Sequence, residues 1–517
     1  MAPPGPKASG STPRLSVAWA LAAVFFSSRF FDAEGGADLR SADLMQDSVR
    51  RTEALSALYS ATNGTAWNES KGWMVGDPCA NSWQGVYCKT DKFGATLLRN
   101  VDLMTNKLRG TLPSQLGYLS FVSTLVLSDN SDVRKEELRG TLPTQIGHMT
   151  ALSAFTADGH RLNGALPTQL GRWTALTVAV LADNDFGGTL PTELAALSGM
   201  SMGLYLGENG IGGSIPTELG GALTRLTSGF SLQGNSLTST LPTELAHMTA
   251  LSQNFLVASN QFDGAVPTEF GLLEALTSGM DMSNNTLKGA LPTQLGFLDM
   301  SSGFKVETND LSGNLPTELG RWTNLGDEFR VQRQYFAGTL PSELGQWTAL
   351  TGDISVNDQK IGHRLGGPIP TELGRMIAFA GELDLNGNSF TGQVPTELGR
   401  LVHSTGGAVL HSNRLSSSLP TQLGMLVASE EDFLYHANHF TGKVPTELGK
   451  LVQLAGKFDL SDNNATGSVP TQLGGLSKLQ SGFNAQGNKL SKSLPTEVRS
   501  RVLNHSLPSF FAKINGL

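Results

Sequence analysis

The chain has 517 residues, a formal net charge of -8 and only 16% charged residues. It has no basic block that could neutralise a phosphate backbone, so nucleic acid is not expected as a partner. Its length predicts about three compact domains unless the chain is a repeat array, to which that rule does not apply. Glycine is unusually frequent, at 60 residues.

The N-terminus has the order of residues that is typical of a secretory signal. Lys7 and Arg14 precede the apolar run "LSVAWALAAVFF" of residues 15–26, and small residues follow. This order predicts a signal peptide within residues 1–30, with an organelle transit peptide and an uncleaved signal anchor as the alternatives. Residues 31–48 are expected to be flexible. Because no later apolar run is long enough to cross a bilayer, the mature chain is expected to be secreted or held at the cell surface without a transmembrane segment.

Prolines recur with a fixed period through most of the chain. With Pro368 set aside, the intervals from Pro113 to Pro495 are 24 to 26 residues, except for 30 after Pro113 and 29 after Pro341. Leu, Ile or Val precedes each of these prolines, and Thr or Ser followed by Glu or Gln comes after it. Sixteen copies of one unit therefore fill residues 97–498.

Each unit predicts a strand, a turn and a short helical segment. In Leu383-Asp384-Leu385, alternation places the two leucines on one buried face of a strand. Seven positions before the proline, an asparagine such as Asn388 is predicted to end the strand and to satisfy backbone groups in a turn. Pro-Thr-Glu-Leu-Gly predicts a helical turn that the glycine ends. The units must stack to share one core, and this creates an asparagine ladder. The ladder is expected to loosen where other residues replace asparagine, at His160, Gln334 and His363.

At these residues the chain resembles the plant-type leucine-rich repeat, with the consensus LxxLxxLxLxxNxLxGxIPxxLG, as residues 373–399 illustrate. The resemblance implies an α/β solenoid: a curved, superhelical array with a parallel concave sheet and short helical turns on the convex side. The last residues, 499–517, are predicted to form a C-terminal cap over the final repeat.

The segment before the repeats resembles the N-terminal cap of the same family. Its Trp-x-Gly-Val-x-Cys signature ends at Cys88, and the cap is assigned to residues 49–96. Two cysteines cannot alone complete a tetrahedral zinc site, so a short-loop disulfide is the simpler account in an oxidising compartment. The resemblance implies that Cys79 pairs with Cys88. Five sequons are glycosylation candidates in that compartment: Asn63, Asn68, Asn284, Asn464 and Asn504.

Patterns that suggest chemistry are better explained by the repeat. Asp185-Phe186-Gly187 spells the magnesium-binding tripeptide of protein kinases, but Phe186 occupies a core position of the unit and the other kinase motifs do not accompany it. His411 and His436 are expected about 5 Å apart in neighbouring strands, which leaves a metal site as a minor alternative to surface histidines. We therefore expect no enzyme activity, no cofactor and no metal.

Function is expected on the outward strand positions, because these differ from unit to unit. The ligand-binding candidates are Asp281, Lys305, Glu307, Glu328, Arg330, Gln332, Arg333, Asp353, Asp384, His411, His436 and Asp459. The resemblance to receptor ectodomains and polygalacturonase inhibitors implies extracellular recognition of a protein, peptide or glycan on the concave face. It places the protein in signalling or defence and allows association with a membrane co-receptor. The alternative is a structural or matrix spacer with a regular surface.

Overall fold

The computed structural model describes residues 41–128, 137–360, 362–491 and 494–498, and it describes side chains from Gln46 onward. The chain divides into an N-terminal unit, of residues up to 238 with 250–260, and a C-terminal unit, of residues 239–249 and from 261. The predicted signal peptide, Asn504 and the predicted C-terminal cap lie outside the described residues.

The N-terminal unit begins with the cap. Its helix, Ser41–Ala61, already includes residues 41–48 of the stretch expected to be flexible. Arg51 fixes this helix to the following loop, because its guanidinium donates to the Asp77 carboxylate at 2.8 and 3.0 Å. Cys79 and Cys88 form the expected disulfide, with Cα atoms 5.6 Å apart.

The main sheet of the N-terminal unit starts with an antiparallel pair and continues with parallel strands, one from each repeat. Inward side chains such as Leu125, Phe155 and Leu204 are buried. The strands are Val86–Thr90, Thr96–Asp102, Thr124–Val126, Ala154–Thr156, Val178–Val180, Gly203–Tyr205, Phe230–Ser231 and Gln253–Leu256.

The C-terminal unit has the same arrangement, with parallel strands paired in register from repeat to repeat up to Gly407–Val409. The last three strands pair in register as a separate sheet. Phe304, Phe329, Leu383 and Phe458 point into its core and are fully buried. The strands are Ser278–Asp281, Phe304–Lys305, Phe329–Arg330, Ile354–Ser355, Glu382–Asp384, Gly407–Val409, Phe433–Leu434, Phe458–Asp459 and Phe483–Asn484.

A second row of short strands follows the main strands in sequence. Asp185–Gly187 belongs to this row, and Phe186 is fully buried, so the kinase-like tripeptide is part of the repeat. The other strands of the row are Arg139–Gly140, Arg161–Ala165, Gly212–Gly213, Ser236–Thr240, Gln261–Asp263, Lys288–Gly289, Asp310–Gly313, Tyr335–Phe336, Gly338–Thr339, Leu365–Pro368, Ser389–Gly392, Arg414–Leu415, Thr466–Gly467 and Lys489–Leu490.

The segment after each repeat proline is a short helix, as predicted. Thr217–Ala222 and the described residues 496–498 are α-helical, and the other segments are 3-10 helices. A further 3-10 helix, Gly64–Ala66, lies in the cap. The 3-10 helices of the repeats are Ser114–Tyr118, Thr144–His148, Thr168–Arg172, Thr192–Ala196, Thr243–His247, Thr268–Leu272, Thr293–Phe297, Thr317–Arg321, Ser342–Gln346, Thr371–Arg375, Thr396–Arg400, Thr421–Met425, Thr446–Lys450 and Thr471–Gly475.

Glycine in these helices serves close packing and not helix termination. Gly171 lies inside Thr168–Arg172, and a Cβ atom there would approach the Glu193 carbonyl oxygen of the next repeat to 2.3 Å. Cβ atoms are essentially never found that close to backbone, so only glycine lets neighbouring turns stack at this separation. The prediction that this glycine ends the helix was therefore wrong.

The asparagine ladder is present in both units. The Asn184 amide donates to the carbonyls of Ala157 and Leu181 at 2.8 and 3.2 Å, and its oxygen accepts from the Leu162 backbone at 3.0 Å. Asn388 makes the same set of bonds in the C-terminal unit. One side chain thus satisfies backbone groups of adjacent repeats that the turn would leave unpaired.

Other residues can occupy the ladder without breaking it. The Gln334 amide donates to the Val306 carbonyl, and its oxygen accepts from the Leu311 backbone at 2.9 Å. In the longer unit, Gln359 fills the ladder position and donates to the Val356 carbonyl at 2.9 Å. His363 is instead exposed and packs edge-on against Tyr335, so its assignment to the ladder was wrong.

Candidate functional site

The outward face of the main sheet in the C-terminal unit presents a changing series of side chains. The strand register places Asp281, Lys305, Arg330, Ser355 and Asp384 side by side, one from each successive repeat. Charge therefore changes along one line of the sheet while the inward neighbours stay apolar. Four of the predicted ligand-binding candidates lie on this line: Asp281, Lys305, Arg330 and Asp384.

Two of the basic candidates are held in an ion-pair network. Glu328 accepts Lys305 on one carboxylate oxygen and Arg330 on the other. Arg330 also reaches Asp353, with Nη2 and Oδ2 3.4 Å apart. Since the partners are half-buried, this network fixes the side chains of three adjacent strands, and Arg330 is not free to serve as an anion site.

The remaining candidates of this region differ in environment. Glu307 is half-buried, and burial together with Asp281 raises its pKa to about 7. Gln332 is half-buried on the same strand face. Arg333 does not lie in the strand line: it is exposed in the left-handed turn before Gln334, with φ of 58°.

Acidic side chains cluster in the repeats that follow. We call Asp353, Glu382, Asp384, Glu431 and Asp432 the acidic patch. Burial, followed by the field of the other four carboxylates, raises the pKa of Glu382 to about 8. Burial also raises the pKa of Asp384 to about 6, even though the Asn386 backbone and side chain donate to it at 3.1 and 2.7 Å.

Glu382 was not among the candidates predicted from sequence. Its signal was present, because Glu382 and Asp384 flank the buried Leu383 and must share the outward face. What the sequence did not show is how closely Glu431 and Asp432, two repeats further on, approach Glu382.

Next to the acidic patch, His411 and His436 form a stacked pair. Their ring centroids are 4.3 Å apart and the rings are within 8° of parallel. Burial lowers the pKa of both, and for His411 the neighbouring His436 lowers it further. The spacing predicted for neighbouring strands is confirmed, and the rings meet face to face.

Asp459 anchors the far side of the histidine pair. Its carboxylate accepts from Lys457 Nζ at 2.5 Å, and from the Ser461 hydroxyl and backbone at 2.6 and 2.9 Å. One carboxylate oxygen of Asp459 also lies 3.9 Å from His436 Nδ1. Burial opposes ionisation of Asp459, but these hydrogen bonds outweigh it and hold its pKa below the usual range. Asp281 accepts from Ser283 in the same way, so such aspartates also stabilise the strand end.

The outward face of the N-terminal unit has a different chemistry, which the sequence analysis missed. Val126, Ala154, Val178, Val180 and Tyr205 point away from the main core in the strand register, yet they are at most 3% exposed and form one apolar cluster. A usable signal existed in "VAVLA", residues 178–182, because an uninterrupted apolar run is typical of a parallel strand buried on both faces.

Tyr205 belongs to this cluster because two glycines leave room for its ring. Cβ atoms at Gly203 and Gly229 would come within 2.1 and 2.3 Å of Tyr205 atoms. The ring therefore lies flat on the sheet, and burial raises the pKa of Tyr205 to about 12.

The structure also bears on the metal site, the membrane segment and the glycosylation candidates considered from the sequence. Within the described ranges, no group of three or more His, Cys, Asp or Glu side chains is arranged to hold a metal ion, and no helix has the length and apolarity needed to span a membrane. Among the sequons, Asn63 and Asn284 are exposed and Asn464 is half-buried. Asn68 is exposed, and its amide donates to the Thr105 carbonyl at 2.7 Å.

Comparison with known proteins identifies the repeat. The Leucine Rich Repeat family model matches residues 382–401. A plant peptide hormone receptor, RGFR1, solved in complex with RGF2, is 28% identical with a TM-score of 0.66 over 74% of this chain and 57% of its own. The leucine-rich-repeat protein LIC12759 of Leptospira interrogans is 25% identical with a TM-score of 0.56 over 80% of this chain and 95% of its own.

A third structure extends the similarity of fold. The ectodomain of the Arabidopsis receptor kinase HAESA, solved with a peptide hormone, is 22% identical with a TM-score of 0.59 over 92% of this chain and 86% of its own. The chain spans little more than half the length of RGFR1. Together with the repeated strands, turns and ladder, these similarities show a leucine-rich-repeat solenoid that resembles plant receptor ectodomains.

Proposed function

We propose that this leucine-rich-repeat protein is a non-enzymatic extracellular recognition protein that binds a protein, peptide or glycan through the outward sheet face of its C-terminal unit. The observation that carries the proposal is the contrast between the two sides of each repeat. The helical turns keep nearly the same sequence, Pro-Thr-Glu/Gln-Leu-Gly, through most of the chain. The strand line changes at every step from Asp281 to Asp384.

Such variation is what recognition requires. A repeat frame stabilises itself through residues that are the same in each unit, so positions that differ are free to match a ligand. A spacer with a regular surface would need the outward positions to repeat, and in this chain only the turns do. The face can offer a ligand the carboxylates of the acidic patch, and the adjoining turn offers the exposed guanidinium of Arg333.

The similar structures support a ligand of this kind. RGFR1 and HAESA are plant receptors solved with peptide hormones. By analogy we assign the chain to extracellular signalling or defence, with its N-terminal 30 residues as the export signal. Fold alone does not determine function, so the binding face has to be tested directly.

The test uses the secreted chain as bait against extracellular proteins, peptides and a glycan array. We expect a specific partner that is lost when Glu382→Lys reverses a charge on the face and Arg333→Glu reverses one in the adjoining turn. The matched control is Glu372→Lys with Arg375→Glu, which makes the same two changes on the helical turn of the same unit. A partner that is lost equally in both variants, with the fold intact by circular dichroism, contradicts binding on the sheet face.

A further inference from the structure

The acidic patch and the histidine pair lie on, or within two residues of, neighbouring strands of the C-terminal unit. Glu382 and Asp384 share a strand that pairs with Gly407–Val409, and His411 follows directly. The Leu410 backbone donates to the Leu434 carbonyl at 3.0 Å, which brings His436 beside His411. Groups that change charge in different pH ranges are thus within two or three strands of each other.

The surroundings of these groups are strongly biased in charge. The charged neighbours that act most strongly on Glu382 are all acidic. The charged neighbours of the histidine pair are the carboxylates of Asp358, Asp459 and Asp462 and the ammonium group of Lys457. The groups that surround the pair and the patch are Asp353, Asp358, Glu431, Asp432, Lys457, Asp459 and Asp462.

We propose that Glu382, Asp384, His411 and His436 make this face a proton-controlled surface that holds cationic groups of a ligand in mildly alkaline solution and releases them on acidification. The inference rests on the proposed function, since it assigns regulation to the same binding face. No movement of the backbone is required, because proton uptake alone changes the charge that the ligand meets.

Proton uptake occurs in two stages. With pKa values raised to about 8 and about 6, Glu382 and then Asp384 become neutral as the pH falls. The histidines follow below their ordinary pKa, because burial disfavours the charged imidazole. Since the rings are parallel at 4.3 Å, the charge of the first imidazolium opposes protonation of the second. The face therefore first loses negative charge and then gains positive charge.

The first experiment measures the histidine titrations by NMR in the full chain labelled at histidine Cε1. His436→Gln should raise the pKa of His411, because it removes a neighbour that lowers it. His148→Gln, on an exposed helical turn of the other unit, should leave the His411 titration unchanged. An unchanged His411 titration in His436→Gln would overturn the coupling of the pair.

The second experiment measures binding of a fluorescent hexalysine probe at low salt, at pH 8.5 and pH 5.5. We expect about fivefold tighter binding at the higher pH, which corresponds to ~1 kcal/mol or two exposed ion pairs. Glu382→Gln with Asp384→Asn should abolish most of that pH dependence, whereas Glu372→Gln with Asp310→Asn, an equal charge change outside the patch, should keep it.

The outcomes separate the two proposals. If the pH dependence is the same in the patch variant and the control variant, proton control of this face is wrong, whether or not a natural ligand is found. If the bait captures a partner on the sheet face at all pH values with equal affinity, the recognition function stands and the pH control fails. If the probe responds as expected but no partner is lost in the charge-reversed face variant, the surface titrates and the proposed function fails.

Discussion

The two units use one backbone frame and carry opposite chemistry on their outward sheet faces. Four positions before the ladder residue, the N-terminal unit has Val180, fully buried in an apolar cluster. The same position in the C-terminal unit is Ser355 in one repeat and Asp384 in the next, both half-buried. The frame is fixed by ladder bonds and close-packed turns, so the outward positions vary at little cost to folding.

The largest expected effect on stability comes from placing an acidic side chain at the apolar outward position of the N-terminal unit. Val180→Asp places an unpaired carboxylate in a buried apolar site and should destabilise the protein by about 3–4 kcal/mol. Ser355→Asp, at the equivalent half-buried position between Arg330 and Asp384, should change stability by less than about 0.5 kcal/mol, since attraction to the cation offsets repulsion by the carboxylate. Urea unfolding monitored by circular dichroism measures both. Equal destabilisation would mean that the two faces do not differ as described.

The next prediction concerns what the units share. Asn184→Ala and Asn388→Ala each remove an amide that bonds three or more backbone groups, and each should cost about 2–3 kcal/mol. The two losses should agree within about 0.5 kcal/mol, because the ladder is the same in both units. The exposed Asn324→Ala serves as the control and should cost less than about 0.5 kcal/mol. A large difference between the two ladder variants would show that the frame is not uniform.

The sequence predicted the frame far better than the faces. The repeat proline and the alternating strand recur in sixteen units and the ladder asparagine in most of them, so variation at single units such as Gln334 did not obscure the pattern. His363 was misassigned because the longer unit shifts the ladder to Gln359, and a fixed offset from proline cannot detect an insertion. The repeat glycine was misinterpreted because its role is a contact between units, which no single unit displays.

Face residues were harder to predict because their environment comes from neighbours about 25 residues away. Arg330 is a ligand-binding candidate in sequence, but Glu328 and Asp353 occupy its guanidinium. Glu382 became prominent only when the acids of other repeats were placed around it. Whether an outward position is solvated, paired or buried depends on such contacts, and a repeat alignment does not contain them.

The third prediction tests the acidic character of the C-terminal face through pH. The folded-state pKa of Glu382, raised to about 8, lies above its ordinary value. Its contribution to stability is therefore fully present below the ordinary pKa and is lost as the pH rises through the folded pKa. Glu382→Gln removes that loss and should stabilise the protein by about 1 kcal/mol at pH 9, a value discounted for partial exposure, with no effect near pH 4.

The stability of Glu382→Gln and of the turn variant Glu372→Gln is compared by thermal unfolding at pH 4, 7 and 9. The difference in stability between the two variants should grow from pH 4 to pH 9. A difference that is constant over this range would contradict the raised pKa of Glu382.

The smallest expected effect separates two arginines that the sequence placed in one group. Arg330→Ala breaks half-buried ion pairs with Glu328 and Asp353 and should cost about 0.5–1 kcal/mol. Arg333→Ala removes an exposed side chain and should cost less than about 0.3 kcal/mol. Raising the salt concentration should weaken the effect at Arg330 by screening the pairs. The two arginines should also differ in ligand binding. Arg333→Ala should change the affinity for the ligand without changing stability, whereas Arg330→Ala should change stability more than affinity.

If both variants are equally stable and bind the ligand equally weakly, Arg330 contacts the ligand directly and the ion-pair network is not its main role.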